Sequence, residues 1–149
     1  MKTLVLYFSA EGTTAAAAKQ LAVHNQADLF EICPEKPYSA ADLRYTNPLS
    51  RCNREFFGKK DVPAVGRIEN FCSYDTVMLG FPIWYGGAPN VVSTFCKAYD
   101  WTGKTVYIFA TSGGSAIGKT AQRLSPSLKG AVIKDARVIH QATEMDDWM

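Results

Sequence analysis

Apolar residues gather in short runs separated by turn-forming residues. Thr3–Phe8, Asp28–Cys33, Asp75–Gly80, Thr105–Ala110 and Ala131–Ile139 each read as a strand. Thr3–Phe8 shows no polar alternation, the pattern of a strand buried on both faces. Between the runs lie segments of helical character. Ala15–Val23 has high helix propensity, and Thr13 or Thr14 stands where it can cap that helix. Ala88–Tyr99 forms a second helix, with Pro89 suited to its first turn, and a third runs from about Ala116 to Leu124. Residues 34–67 are broken by prolines 34, 37, 48 and 63 and read as irregular cover with a helix at Leu49–Phe57. The first strand, helix and second strand make a βαβ unit. Continued alternation predicts a parallel sheet with helices on both faces, in one α/β domain over 1–149 without repeats or linkers.

Composition narrows the class. Of 149 residues, 47% are hydrophobic and 20% charged, the profile of a soluble globular protein. No apolar run approaches membrane-spanning length, so no membrane partner is expected, and the N-terminus reads as a strand rather than a signal peptide. The net charge of +2 comes with no basic cluster, which argues against nucleic acid as a partner. Cys33, Cys52, Cys72 and Cys96 have no metal-binding spacing and read as free thiols in a reducing, cytoplasmic setting. His24 and His140 are lone histidines of surface or structural character, and no catalytic residue and no metal site stand out.

Candidate chemistry lies in three loops that follow strands. In an open parallel sheet, ligands bind outside the carboxyl ends of the strands, where the strand order reverses. Ser9, Ala10, Glu11, Gly12, Thr13 and Thr14 offer hydroxyls and backbone N–H groups at a helix N-terminus, a setting for an anion held by neutral donors. Pro82, Ile83, Trp84, Tyr85 and Gly86 offer two large rings on a backbone free to turn at Gly86 and Gly87. Either the rings grip something flat, or the loop packs them into its own core. Thr111, Ser112, Gly113, Gly114 and Ser115 offer small residues whose backbone can approach a ring edge. Phosphate, flat ring and ring edge together describe flavin mononucleotide (FMN).

The chain also resembles the flavodoxin-like family over nearly its whole length. The resemblance rests on Leu29-Phe30-Glu31-Ile32, Pro37-Tyr38, the Gly80–Pro89 loop with its Pro-Ile-Trp-Tyr-Gly, and Thr111-Ser112-Gly113-Gly114-Ser115. It implies a three-layer flavodoxin-like fold, a five-stranded parallel sheet in the order 2-1-3-4-5, and FMN as cofactor. In the phosphate loop, family members usually read Thr/Ser-x-Thr-Gly-Asn-Thr. Here Glu11 replaces the middle threonine and Thr13 the asparagine. A carboxylate beside a phosphate repels it, so Glu11 is expected to weaken the cofactor unless its side chain turns outward.

A rival motif overlaps the third loop. Gly113–Thr120, Gly-Gly-Ser-Ala-Ile-Gly-Lys-Thr, satisfies the triphosphate-loop pattern, with Lys119 for phosphate and Thr120 for magnesium. It ranks second, because no strand ends in the aspartate that would complete the magnesium site and the other two loops go unexplained. On the flavin reading Lys119 is a solvated helix residue.

Within the flavin reading, three roles stay open: an electron carrier with a redox partner protein, a reductase passing electrons to a quinone or another small acceptor, and a module that has lost its cofactor. The absence of an acid–base residue favours the carrier, whereas the charge of +2 departs from the strong acidity of familiar flavodoxins. The tail, Thr143-Glu-Met-Asp-Asp-Trp-Met149, starts a helix through a Thr143/Asp146 capping pattern, so the family's last helix is short or missing. Trp148 tucked onto the sheet, a second copy forming a homodimer, or a truncated chain would each account for the face it leaves.

Overall fold

The computed structural model describes residues 2–10, 12–43, 46–58, 61–85, 87–112, 117–140, 142–145 and 147–148. Glu11, Gly86, Gly113, Gly114, Ser115, Ala116, Asp146 and Met149, named above, lie outside the described residues.

Strands β1 (Thr3–Tyr7), β2 (Asp28–Glu31), β5 (Thr76–Pro82), β6 (Thr105–Thr111) and β7 (Val132–Ile139) form one sheet in the order β2-β1-β5-β6-β7, every pair parallel. Counting only strands of this sheet, the order is 2-1-3-4-5, as the resemblance implies. Two-residue strands β3 (Cys33–Pro34) and β4 (Ala64–Val65) pair antiparallel and close the intervening 35–63 segment at its base.

The side-chain period of two divides the apolar runs between two cores. Leu4, Leu6, Phe8, Val77, Leu79, Phe81, Val106, Ile108 and Ala110 face one layer, where helix α3 (Asn90–Cys96) and helix α4 (Thr120–Leu124) cover them with Val92, Phe95 and Leu124. Val5, Tyr7, Met78, Tyr107 and Phe109 face the other, under helix α1 (Thr13–Asn25). Gly80 lies on this second face, where the Phe109 ring occupies the space a side chain would need: a Cβ there would sit 2.1 Å from a ring carbon. In β7 the register shifts by one residue, with Val106 opposite Ile133 but Tyr107 opposite Asp135. That bulge reverses the facing of every later residue, so Ile133 packs into the first core and Ile139, of the same parity, into the second.

α1 buries Thr14, Ala17, Ala18, Leu21 and Ala22, the spacing of a single helical stripe. Its N-cap is Gly12 in a left-handed conformation (φ 95°), and no side chain caps it. The expectation that Thr13 or Thr14 would cap is therefore corrected: the Thr14 hydroxyl is engaged with another strand. α3 and α4 are shorter than the sequence suggests. Pro89 is the N-cap of α3 rather than part of its first turn, and α4 begins only at Thr120. Helix α2 (Arg51–Phe57) forms within the 35–63 segment. It is tied down by Arg51, which donates to the carbonyls of Lys36 and Pro37 and pairs with Glu55, and by the Tyr38 hydroxyl, which also donates to Glu55.

The tail packs on the α1 side. After a short 3-10 turn, Ala142–Met145, the chain brings Met145 and Trp148 into the second core, with Trp148 against Tyr107 at 5.0 Å between ring centroids. The Trp148 ring nitrogen donates to Asp135 at 3.0 Å, and Arg137 bridges Asp135 and Asp147. Among the described residues, no helix is long and apolar enough to cross a membrane.

Candidate functional site

At the carboxyl ends of β1, β5 and β6 lies a cavity of about 680 Å³, within the range of small-molecule sites. All three predicted loops reach it. Ser9, Ala10, Thr13 and Thr14 line it from the first, Pro82, Ile83, Trp84 and Tyr85 from the second, and Thr111 and Ser112 from the third. Gly12 is not among the lining residues; its part is backbone shape at the head of α1.

The first loop folds on itself. The Gly12 N–H donates to the Ser9 hydroxyl at 3.0 Å, and the Gly12 carbonyl accepts the first helical hydrogen bond, from Ala16. The N–H groups of a helix's first turn have no acceptor within the helix. In α1 they stand beside the Ser9 and Thr13 side chains, and no acidic residue lies in that turn. The buried Thr14 hydroxyl shares a 2.7 Å hydrogen bond with that of Thr111, joining this loop to the third. The Ile83 N–H donates to the Thr111 carbonyl at 2.9 Å and joins the second.

In the second loop, Trp84 and Gly87 exchange backbone hydrogen bonds of 2.9 and 3.1 Å, so a tight turn carries Tyr85 at φ 55°. An L residue with a Cβ adopts that conformation only where the surroundings hold it. Here Arg123 of α4 donates to the Tyr85 carbonyl at 3.1 Å. The Tyr85 ring stacks on Phe56 at 4.2 Å, and its hydroxyl is placed against Asn53 and the Cys52 thiol of α2. Burial first, and then that thiol, push the phenol well above its ordinary range, so it stays protonated. The Trp84 ring meets Phe8 and Tyr38 edge to face, at 5.7 and 5.2 Å. Each ring is anchored in protein on one side and lines the cavity on another.

Tyr38 and Phe56 serve as packing for these rings, whereas Phe57 is 73% exposed. Four lining positions escaped sequence reasoning, Ile139 at the end of β7 among them. Leu43 and Cys52 come from the proline-broken segment, which supplies one wall, and His140 follows β7. The triphosphate-loop reading fares poorly. Thr120, which that motif presents to magnesium, is fully buried and donates to the Ile117 carbonyl at 2.5 Å.

The cavity's chemistry fits a phosphate-bearing flat ligand: hydroxyls, a helix N-terminus and an aromatic wall open to one space. Known proteins point the same way. A family model described as Flavodoxin matches residues 2–149. A candidate flavoprotein from Bacteroides eggerthii DSM 20697 is 40% identical, with a TM-score of 0.90, over 99% of this chain and 94% of its own. A second, from Bacteroides uniformis ATCC 8492, is 38% identical, with a TM-score of 0.91, over 99% and 96%. A flavoprotein from Lactobacillus acidophilus NCFM, solved in complex with FMN, shares the fold at 22% identity and a TM-score of 0.74 over 99% and 97%. No curated protein matches the chain.

Proposed function

The chain belongs to the flavodoxin family, and on that premise we propose that it binds FMN in this cavity and acts as an electron-transfer protein. One observation carries the reading: Thr13 and Trp84 line the same cavity, so an anion site and an aromatic wall share one rim. The FMN complex of the Lactobacillus acidophilus protein, which has the same fold, supports the choice of flavin.

The α1 first-turn amides with Ser9 and Thr13 would hold the phosphate, since a helix N-terminus favours negative charge. The Thr14–Thr111 bond fixes the third loop against that turn. Trp84 and Tyr85, braced by Phe8, Tyr38 and Phe56, would hold the ring and shield it from water on that side. FMN, when bound, supplies the electron-transfer chemistry. The protein's part is to bind, orient and shield, and no acid–base side chain is required. The counterpart is a redox partner protein or a small electron acceptor that meets the cavity mouth.

The visible spectrum of the purified protein, before and after adding FMN, tests the cofactor. Flavin absorbance that stays with the protein through gel filtration is expected; a protein that stays colourless overturns the reading. NADH and NADPH oxidation by the loaded protein tests the role. A carrier shows negligible turnover, whereas sustained oxidation with a quinone acceptor would mark a reductase.

A further inference from the structure

The Tyr85 turn borders the cavity, and two helices meet it. From α2 comes Phe57, whose ring lies edge to face with that of Tyr85 at 5.9 Å. Among the described residues, Phe57 is the one exposed phenylalanine, tyrosine or tryptophan. From α4 comes Arg123, whose guanidinium donates to the Tyr85 carbonyl. A further cation lies one turn from each contact. Arg54 stands three residues before Phe57 on α2, and the Lys119 carbonyl accepts from the Arg123 N–H at the head of α4. Arg54, Lys119 and Arg123 are exposed, and none pairs with an acid among the described residues. The neighbouring acids are engaged elsewhere. Glu55, the one acid of α2, and Asp42 face Arg51, and Asp61 pairs with Lys97. α4 carries no acid. Asn90, at the head of α3, donates to the Glu55 carbonyl at 2.8 Å, so α2 stands with α3 and α4 on one side of the sheet. No basic cluster shows in the sequence because these cations come from two helices far apart in the chain.

We infer that this rim, an exposed ring among cations beside the cavity, docks a redox partner protein with an acidic surface. The inference rests on the FMN reading above and names the class of partner. An exposed apolar residue alone is ordinary. Here the ring touches a wall of the cavity and is flanked by one sign of charge, the make-up of an interface with an aromatic centre and a steering rim. A second copy of the chain would bring like charges face to face across a two-fold axis. A membrane surface calls for a broad apolar helix face, whereas α2 has seven residues and one exposed ring.

A reduced iron–sulfur ferredoxin, an acidic one-electron donor of low potential, serves as the probe. Each encounter oxidises its iron–sulfur centre by one electron and passes that electron to bound FMN. Two encounters complete the reduction, with protons drawn from water. Opposite charges speed the encounter, and salt screens them.

The experiment mixes FMN-loaded protein with reduced ferredoxin, without oxygen, in a stopped-flow instrument at low and high ionic strength. It reads the second-order rate constant for loss of flavin absorbance. The wild-type rate should fall about tenfold or more from low to high salt. Arg54→Glu and Lys119→Glu should each slow the low-salt rate about three- to tenfold and match the wild type at high salt. Lys19→Glu makes the same charge change at an exposed site on α1, across the sheet, and should leave the rate within about twofold. Phe57→Ala should slow the reaction at both salt levels; the charge variants carry the test if that variant fails to hold FMN. FMN dissociation constants of the charge variants should equal the wild type's. A wild-type rate that is flat or rises with salt overturns the inference. Equal slowing by Lys19→Glu also overturns it, by assigning the attraction to the whole molecule's charge. So does binding to anionic phospholipid vesicles that Phe57→Ala abolishes while ferredoxin rates stay unmoved, which would assign the rim to a membrane. In all three cases FMN stays bound and the FMN reading stands. A wild-type protein that binds no FMN overturns both readings.

Discussion

Thr14 and Thr111 are 97 positions apart in sequence, yet their hydroxyls share a buried hydrogen bond of 2.7 Å. It joins the head of α1 to the end of β6 and holds two loops of the candidate site in one arrangement. Replacing either threonine with valine keeps the shape but leaves the other hydroxyl short of a partner, at a cost of about 1–3 kcal/mol. Replacing both should cost less than the sum. A double-mutant cycle by urea denaturation measures this, and strict additivity would show that the two hydroxyls do not interact.

Gly80 should tolerate no side chain. Gly80→Ala sets a methyl 2.1 Å from a Phe109 ring carbon, inside a layer where both residues are fully buried. Overpacking of this kind costs about 1–3 kcal/mol. Combining it with Phe109→Leu should recover part of the loss, as read from melting temperatures. A Gly80→Ala protein as stable as the wild type would mean the ring has room to move aside.

Arg123 is expected to act on the ligand without touching the cavity. It donates to the carbonyl of Tyr85, whose left-handed backbone needs external support. Arg123→Met should lower FMN affinity by roughly threefold, the worth of one exposed hydrogen bond, while global stability changes little. A titration beside a thermal melt separates the two effects. Unchanged affinity would show that the turn holds itself.

Acid should loosen the tail first. The Trp148 ring N–H, above all, holds the Asp135 carboxyl below its ordinary range, and a hydrogen bond from Arg137 does the same for Asp147. Carboxylates lowered in the folded protein contribute stability above their unfolded value of about 3.9, and that contribution disappears as pH falls through the lower folded value. Hydrogen exchange at residues 142–148 should therefore quicken below about pH 4, and Asp135→Asn should flatten the dependence. Equal acid sensitivity in wild type and variant would rule out this linkage.

These results also show what a chain can disclose unaided. The strands of the central sheet were legible because Leu4, Leu6, Phe8 and their counterparts are apolar on both phases, and the resemblance supplied their order. The aromatic loop and the two hydroxyl loops were legible from residue type alone. Helix starts were not: Thr13 looked like a cap, but Gly12 takes that place and Thr14 answers to a residue on another strand. His140 was passed over because a histidine after a strand carries no signal of its own. Only the register of β7 against β6 brings it to the cavity, and that register turns on a bulge no local pattern announces. Leu43 and Cys52 were hidden for a related reason, since prolines break the periodicity of their segment while side-chain ties such as Arg51 to Lys36 and Pro37 give it shape.

The three tryptophans stand at three different places in the molecule. Trp84 stands at the cavity, Trp101 is sealed in the α3 layer with its N–H on the Cys96 carbonyl, and Trp148 anchors the tail in the second core. The molecule thus carries its own optical gauges. Indole emission from single-tryptophan versions would report ligand entry, core integrity and tail docking as three distinct signals, with no label attached.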